Sequence, residues 1–314
     1  MSQPIVYLSK EFFINFCKVK DVPTDDIQKK RVILYFEELI FYKAKIYINI
    51  EDAEIIRYLR VQSPKELVGD DEQIFLVNFK RILNQNRPRS CKDEIDIFKN
   101  KNYSGYNDLP VKPHFILASY NKDFCRQVEK EFGVICVSKE LSFQENCTRA
   151  DIKIVEPGKP IDLPGIAKNV HFFNSIIIED PYLFENDIQG IFLELLLKNI
   201  LSKDLKVQII VTLIADNSSV SNIDAIVERI VRNIGLNIII EPYSRSSRNI
   251  HDRNIYTNSF WLSCDYGFRN QYKTTTKWTI FPLGIYFTEY LKRKNDSVKF
   301  IRNEKQKSVN YIVN

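Results

Sequence analysis

His251-Asp252-Arg253-Asn254-Ile255-Tyr256-Thr257-Asn258 places one of the chain's three histidines two residues from an arginine, in a run with strand character. Side chains alternate along an extended chain, so His251, Arg253 and Ile255 share one face while Asp252, Asn254 and Tyr256 share the other. An imidazole and a guanidinium on one face can do phosphate chemistry. The imidazole is a nucleophile or base near neutral pH, and the planar guanidinium grips phosphate oxygens with parallel hydrogen bonds. The same pair can also simply bind an anion.

The segments that must position this pair read as alternating strands and helices. Asn174-Ser175-Ile176-Ile177-Ile178-Glu179-Asp180-Pro181-Tyr182 is an apolar run closed by acids, a proline and a tyrosine. A helical pattern follows at Ile188, Ile191, Phe192, Leu195 and Leu196, then a strand from Lys206 to Ile214. A second amphipathic helix, with Ile223, Ile226, Val227, Ile230 and Val231 on its apolar face, stops at Gly235, the residue type favoured just past a helix end. Leu236 to Ile240 is another strand, followed by the His-x-Arg strand and by Phe260 to Phe268. This order predicts an α/β layer with a largely parallel sheet and a final hairpin.

On those residues, roughly 166 to 290 resemble one half of a phospholipase D-like fold, especially the variant found as the C-terminal domain of MIT-containing proteins. The enzymatic family carries His-x-Lys, then four residues, then Asp, followed by a glycine-bearing strand. Here His251 matches the histidine, Arg253 stands for the lysine and Asn258 for the aspartate. Gly267-Phe268 resembles the end of the following strand, and Asp180-Pro181-Tyr182 resembles the end of the family's first strand. Hydrolysis in that family needs two facing histidine motifs. The other two histidines, His114 and His171, have no basic residue two positions on, so a homodimer would have to supply the second motif. The MIT-type relatives carry His-Asp-Arg and bind rather than hydrolyse. The resemblance therefore implies a binding domain, and secondarily a metal-independent phosphodiesterase or nuclease in which His251 and Arg253 are catalytic.

Charge points to the same end of the chain. Residues 241 to 314 hold thirteen Lys and Arg against six Asp and Glu, a balance of +7 within an overall net charge of +5. The candidate binding cations are Arg245, Arg248, Arg253, Arg269, Lys273, Lys277, Lys292, Arg293 and Lys294. Tyr243, Tyr256, Trp261, Tyr266, Tyr272 and Trp278 interleave with them, a composition suited to DNA or RNA through counterion release and base stacking. No nucleic-acid-binding signature such as an RNP aromatic pair or a zinc finger accompanies it.

A hydrophobic content of 44% with 27% charged residues is globular and argues against wholesale disorder. The cysteines at 17, 91, 125, 136, 147 and 264 form no Cys-x-x-Cys pair and no zinc grouping, and most sit in apolar runs as reduced core residues do. No apolar run approaches 18 residues, and Met1-Ser2-Gln3-Pro4 does not begin a secretory signal, so a cytoplasmic protein without a membrane partner is expected. There is no glycine-rich phosphate loop, and no cofactor or metal is expected.

Residues 1 to 145 read as a separate α/β unit. Strands are expected at Ile5–Leu8, Lys45–Ile50, Pro113–Ser119 and Gly133–Ser138. Helices are expected from Glu11 to Phe16, Ile27 to Ala44, Ala53 to Leu59, Glu72 to Leu83 and Phe124 to Phe132, and the polar stretch 84–108 reads as a loop with at most a short helix. The order resembles a degenerate PIN-type nuclease fold, a family whose strand-end carboxylates hold a divalent metal. Ser9 and Asn121 stand where that family places aspartates, which leaves Glu54 and Asp123 as the surviving acids. Residues 146–165, rich in proline and glycine, read as a linker to the domain at 166–314, which ends in a basic tail. The expected function is a non-catalytic adaptor in a larger assembly, with a protein or nucleic-acid partner and with a bacterial defence system as a setting suggested by analogy.

Overall fold

Ile5–Leu8 (β1) is a continuous Ile-Val-Tyr-Leu run, as a strand covered on both faces requires, and it forms the centre of a five-stranded sheet in the computed structural model. The structure describes residues 3–62, 69–83, 88–141, 150–167, 172–183, 187–216, 223–235, 237–245, 253–268, 271–303 and 311–312. The chain divides into two units, residues 2–129 with 134–144, and residues 130–133 with 145–314.

In the first unit β1 leads into Lys10–Lys20 (α1), capped by Ser9 Oγ, which accepts from Phe12 N. Ile27–Glu38 (α2) is capped by Asp26 and continues into a π-helical turn, Leu39–Lys43, closed by Ala44 N donating to Leu39 O. The sequence predicts one uninterrupted helix here. The wider turn is what lets three consecutive residues, Leu39, Ile40 and Phe41, all be buried. Lys45–Ile48 (β2), Asp52–Arg60 (α3), Asp70–Leu83 (α4), Arg89–Ser90 (β3), Lys92–Lys99 (α5), Tyr103–Asp108 (α6), Phe115–Leu117 (β4), Lys122–Phe132 (α7) and Ile135–Val137 (β5) follow. The sheet is all parallel, in the order β3-β2-β1-β4-β5. The stretch expected as a loop with at most a short helix, 84–108, holds a two-residue strand and two helices among its described residues. In α5 only Ile95 and Phe98 are buried among five charges, so its apolar face is too narrow to read as a period.

The second unit begins inside the expected linker. Asp151–Val155 (β6) is a strand of its sheet and Leu163–Ala167 (α8) a short helix, so 146–165 is corrected from linker to structural segment over its described part. Next come Ser175–Glu179 (β7), Asp187–Ile200 (α9), Ile209–Asp216 (β8), Ile223–Ile234 (α10), Ile238–Arg245 (β9), Asn254–Thr257 (β10), Trp261–Cys264 (β11), Thr276–Phe281 (β12), Leu283–Asn303 (α11) and Tyr311–Ile312 (β13). The sheet order is β13-β9-β8-β7-β10-β11-β12-β6, with β7, β8 and β9 parallel and the remaining pairs antiparallel. Helix α10 ends at Gly235, whose φ of +66° is the left-handed conformation of a helix stop. Both units are α/β, the first with a parallel and the second with a mixed sheet.

Cross-strand pairs share a face, so Glu179, Asn254 and Ser263 point to one side of the second sheet, with Ile177, Tyr256, Trp261 and Phe281. Helix α11 lies on that side and takes up the first part of the expected basic tail, whose residues 304–310 lie outside the described residues: Tyr290 OH donates to Ser175 Oγ at 3.3 Å and the Arg293 guanidinium is 3.6 Å from Glu179 Oε1.

Candidate functional site

Strands β7 and β10 are neighbours of opposite direction, while β8 and β9 continue the parallel set on the other side of β7. In such sheets ligands are bound outside the carboxyl ends of the parallel strands, where the strand order reverses. Arg253 stands there, one residue before the Asn254–Glu179 pair. It is half-buried, its Nη1 donates to Asp265 O at 3.3 Å, its guanidinium lies over the Tyr182 ring at 5.6 Å, and its buried Nε has no hydrogen-bond partner among the described residues.

The segments singled out by sequence meet beside it. Asp180 is buried, with Oδ1 accepting from Tyr182 N at 2.9 Å and Oδ2 from Phe268 N at 2.8 Å. Gly267 has φ +85°, and a Cβ there would sit 3.0 Å from Asp180 Oδ2 and 3.1 Å from Arg253 Nε, so both conformation and space demand glycine. Tyr272 OH and Cys264 Sγ both donate to Gly267 O. Burial pushes the Cys264 thiol up to about 11, which keeps it protonated and un-nucleophilic at neutral pH.

Asn258, at the motif's acid position, is a structural residue. It is buried at the far end of β10, where its Oδ1 accepts from Asn174 N at 3.1 Å and Ser175 N at 3.2 Å, holding the start of β7. Five residue steps along the strand separate it from Arg253, about 16 Å, the distance that the motif's own spacing sets. The two cannot act on one atom. His251, Arg248 and Arg269 lie outside the described residues, as does the side chain of Arg245.

The remaining cations separate by direction. Lys273, Lys277, Lys292 and Lys294 are exposed, and Lys294 Nζ stands over the Tyr290 ring at 5.7 Å. Arg293 instead turns inward, onto buried Glu179 and over the Tyr256 ring at 5.7 Å, which corrects its assignment as a partner contact. Tyr290 precedes it by three positions on the buried face of α11, and that spacing is the signal that could have placed it. The aromatic residues also prove structural. Tyr256, Tyr272 and Trp278 are core, and Trp261 is stacked between Tyr256 and Phe281, at 5.6 and 3.8 Å between ring centroids. The side chain of Tyr243 lies outside the described residues, and of the other five only Tyr266 is exposed, so base stacking loses most of its platform.

In the first unit the aspartate positions of the PIN-like pattern are helix caps. Ser9 caps α1, and Asn121 Oδ1 accepts from Phe124 N at 2.8 Å. Asp123 faces solvent with Arg126 3.9 Å away. Glu54 belongs to a cluster that sequence reading missed: Lys10 Nζ lies 3.2 Å from Glu54 Oε1, 2.7 Å from Glu72 Oε1 and 2.7 Å from Tyr58 OH, and Tyr58 OH donates to Glu72 Oε2 at 2.7 Å. Burial alone would lower the Lys10 value, but hydrogen bonds to Glu72, Tyr58 and Glu54 raise it above the ordinary range. Burial likewise opposes ionisation of Glu72, yet Lys10 and Tyr58 hold it below its ordinary 4.5. An ammonium thus sits among these acids, and no group of three or more metal-ligating side chains occurs among the described residues. His114 is structural as well, its Nδ1 accepting from Ile5 N at 3.0 Å. The described cysteines are free and buried. No helix among the described residues is long and apolar enough to cross a membrane.

No family model matches the chain, and no curated protein aligns with it. Among solved structures, TrmBL2, an archaeal chromatin protein described as showing a novel mode of DNA binding, superposes with a TM-score of 0.28 at 10% identity, covering 48% of this chain and 52% of that one. The match spans about half of that protein's length, and a likeness at this level carries no argument about fold or function.

Proposed function

We propose that the chain is a non-catalytic adaptor of a larger assembly, whose phospholipase D-like second unit docks an anionic partner, nucleic acid or an acidic protein surface, through Arg253 and the exposed Lys273, Lys277, Lys292 and Lys294. The observation that carries this reading is Arg253: a half-buried guanidinium at the carboxyl end of the parallel strands, over the Tyr182 ring, beside a Cys264 thiol that burial keeps protonated. The PIN-like first unit supports the adaptor reading through its capped aspartate positions and its lysine-filled acidic cluster. A cytoplasmic bacterial defence complex is the setting proposed.

Fluorescence anisotropy with labelled duplex and single-stranded DNA and RNA tests the docking chemistry. Affinity is expected to fall steeply with salt, and Lys292→Gln with Lys294→Gln is expected to flatten the log–log slope by about 1.8 on duplex DNA, since each neutralised phosphate contributes about 0.9. Arg253→Ala should weaken binding further by removing a two-pronged donor. Failure of nucleic acid and of acidic polypeptides alike to bind at low salt would remove the anionic partner from the account.

A further inference from the structure

Strand β6 is the terminal strand of the eight-stranded sheet, and among the described residues it pairs only with β12. In Asp151-Ile152-Lys153-Ile154-Val155, Ile152 lies opposite Thr279 and Ile154 opposite Lys277, on the face that carries Trp261 and Phe281. Both isoleucines are exposed, at 50% and 70%. A terminal strand with alternating exposed isoleucines and no second strand partner among the described residues is a template for another strand, and proteins usually blunt such edges with lysine or proline. Lys153 is the one basic residue of β6, and its charge is matched by Asp151 at 3.2 Å on the same strand.

We propose that β6 pairs antiparallel with β6 of a second copy, about a two-fold axis normal to the sheet that passes through Ile152. Such an axis keeps each face of the sheet on its own side, so residues opposite one another must share a face, and only registers centred on a residue qualify. Centring on Lys153 sets that ammonium directly against the partner's Lys153. Centring on Ile154 sets Lys153 against the partner's Val155 and Ile152 against the partner's Glu156. Centring on Ile152 sets it against the partner's Ile152, Ala150 against the partner's Ile154, and Asp151 against the partner's Lys153, with the reciprocal pair on the other side. This register alone covers the exposed isoleucines and matches both charges, which selects a second copy as the occupant.

The interface uses none of the cations assigned to partner docking. Seven strand spacings would separate the two β10 strands, about 34 Å, so this dimer does not bring two His251 segments together.

Sedimentation velocity on the full chain tests the pairing. A reversible monomer–dimer equilibrium is expected, with Ile152→Lys monomeric because it sets two ammonium groups on the axis. Asp151→Lys and Lys153→Asp alone should each weaken the dimer, and the two together should restore it. Under mild oxidation Ile152→Cys should form an interchain disulfide while Ile154→Cys does not, with circular dichroism verifying that each variant is folded. A wild-type chain that stays monomeric at every concentration, a dimer that survives Ile152→Lys, or cross-linking at 154 as efficient as at 152 overturns the proposal.

Discussion

Arg293→Ala is expected to destabilise the second unit by about 3–5 kcal/mol, the range for breaking a buried ion pair by removing one partner. Glu179 is 2% exposed, and the guanidinium 3.6 Å away supplies counter-charge to a carboxylate that has little access to water. The same change strips cover from the Tyr256 ring. Urea unfolding of the variant checks this. Glu179→Gln in the Arg293→Ala background should recover part of the loss, because it removes the buried charge that Arg293 balances. Lys292→Ala and Lys294→Ala, one position to either side on α11, should cost little, because both side chains are exposed.

Lys10→Met is expected to cost the first unit about 2–3 kcal/mol, since it removes charge-assisted hydrogen bonds to Glu54, Glu72 and Tyr58 that tie α1 to α3 and α4. The side chain is only partly exposed, at 17%, which sets the effect above that of a surface pair. A pH dependence follows from the two shifts. Glu72 is held below 4.5 in the folded chain, so its stabilisation is complete above that value and is lost as pH falls through the lower native value. Lys10 is held above 10.5, so its share is complete below that value and is lost as pH rises through the higher native one. Thermal melts across pH should show both limbs in the wild type, and Lys10→Met should flatten them.

Elements whose period is long or continuous were legible in the sequence. Ile176 to Ile178 and the runs at β8 and β9 can be covered on both faces in only a few ways, and Gly235 marks the end of α10 by its own backbone freedom. Strand β6 was hidden because its five residues adjoin a proline- and glycine-rich stretch and its partner β12 begins more than a hundred residues later. At the candidate site, Asp180 and Gly267 were found only through resemblance, because the bond from Phe268 N to Asp180 Oδ2 joins segments 88 residues apart. Arg293 was read as one cation of three in a row, since a charge count has no direction while a helix turns about 100° per residue. The Lys10 cluster left no local pattern, its members lying 44, 48 and 62 residues from Lys10 on two other helices.

The second unit is proposed to bind without hydrolysing. Phosphodiester turnover by the full-length chain, measured on a chromogenic phosphodiester and on DNA and RNA with chelator present, tests it most directly. No turnover above background is expected, at any concentration and equally for wild type, His251→Ala and Asn258→Asp, because the chain carries one basic-flanked histidine where the hydrolytic family uses two. Chelator-insensitive hydrolysis by the wild type that disappears in His251→Ala would contradict the account.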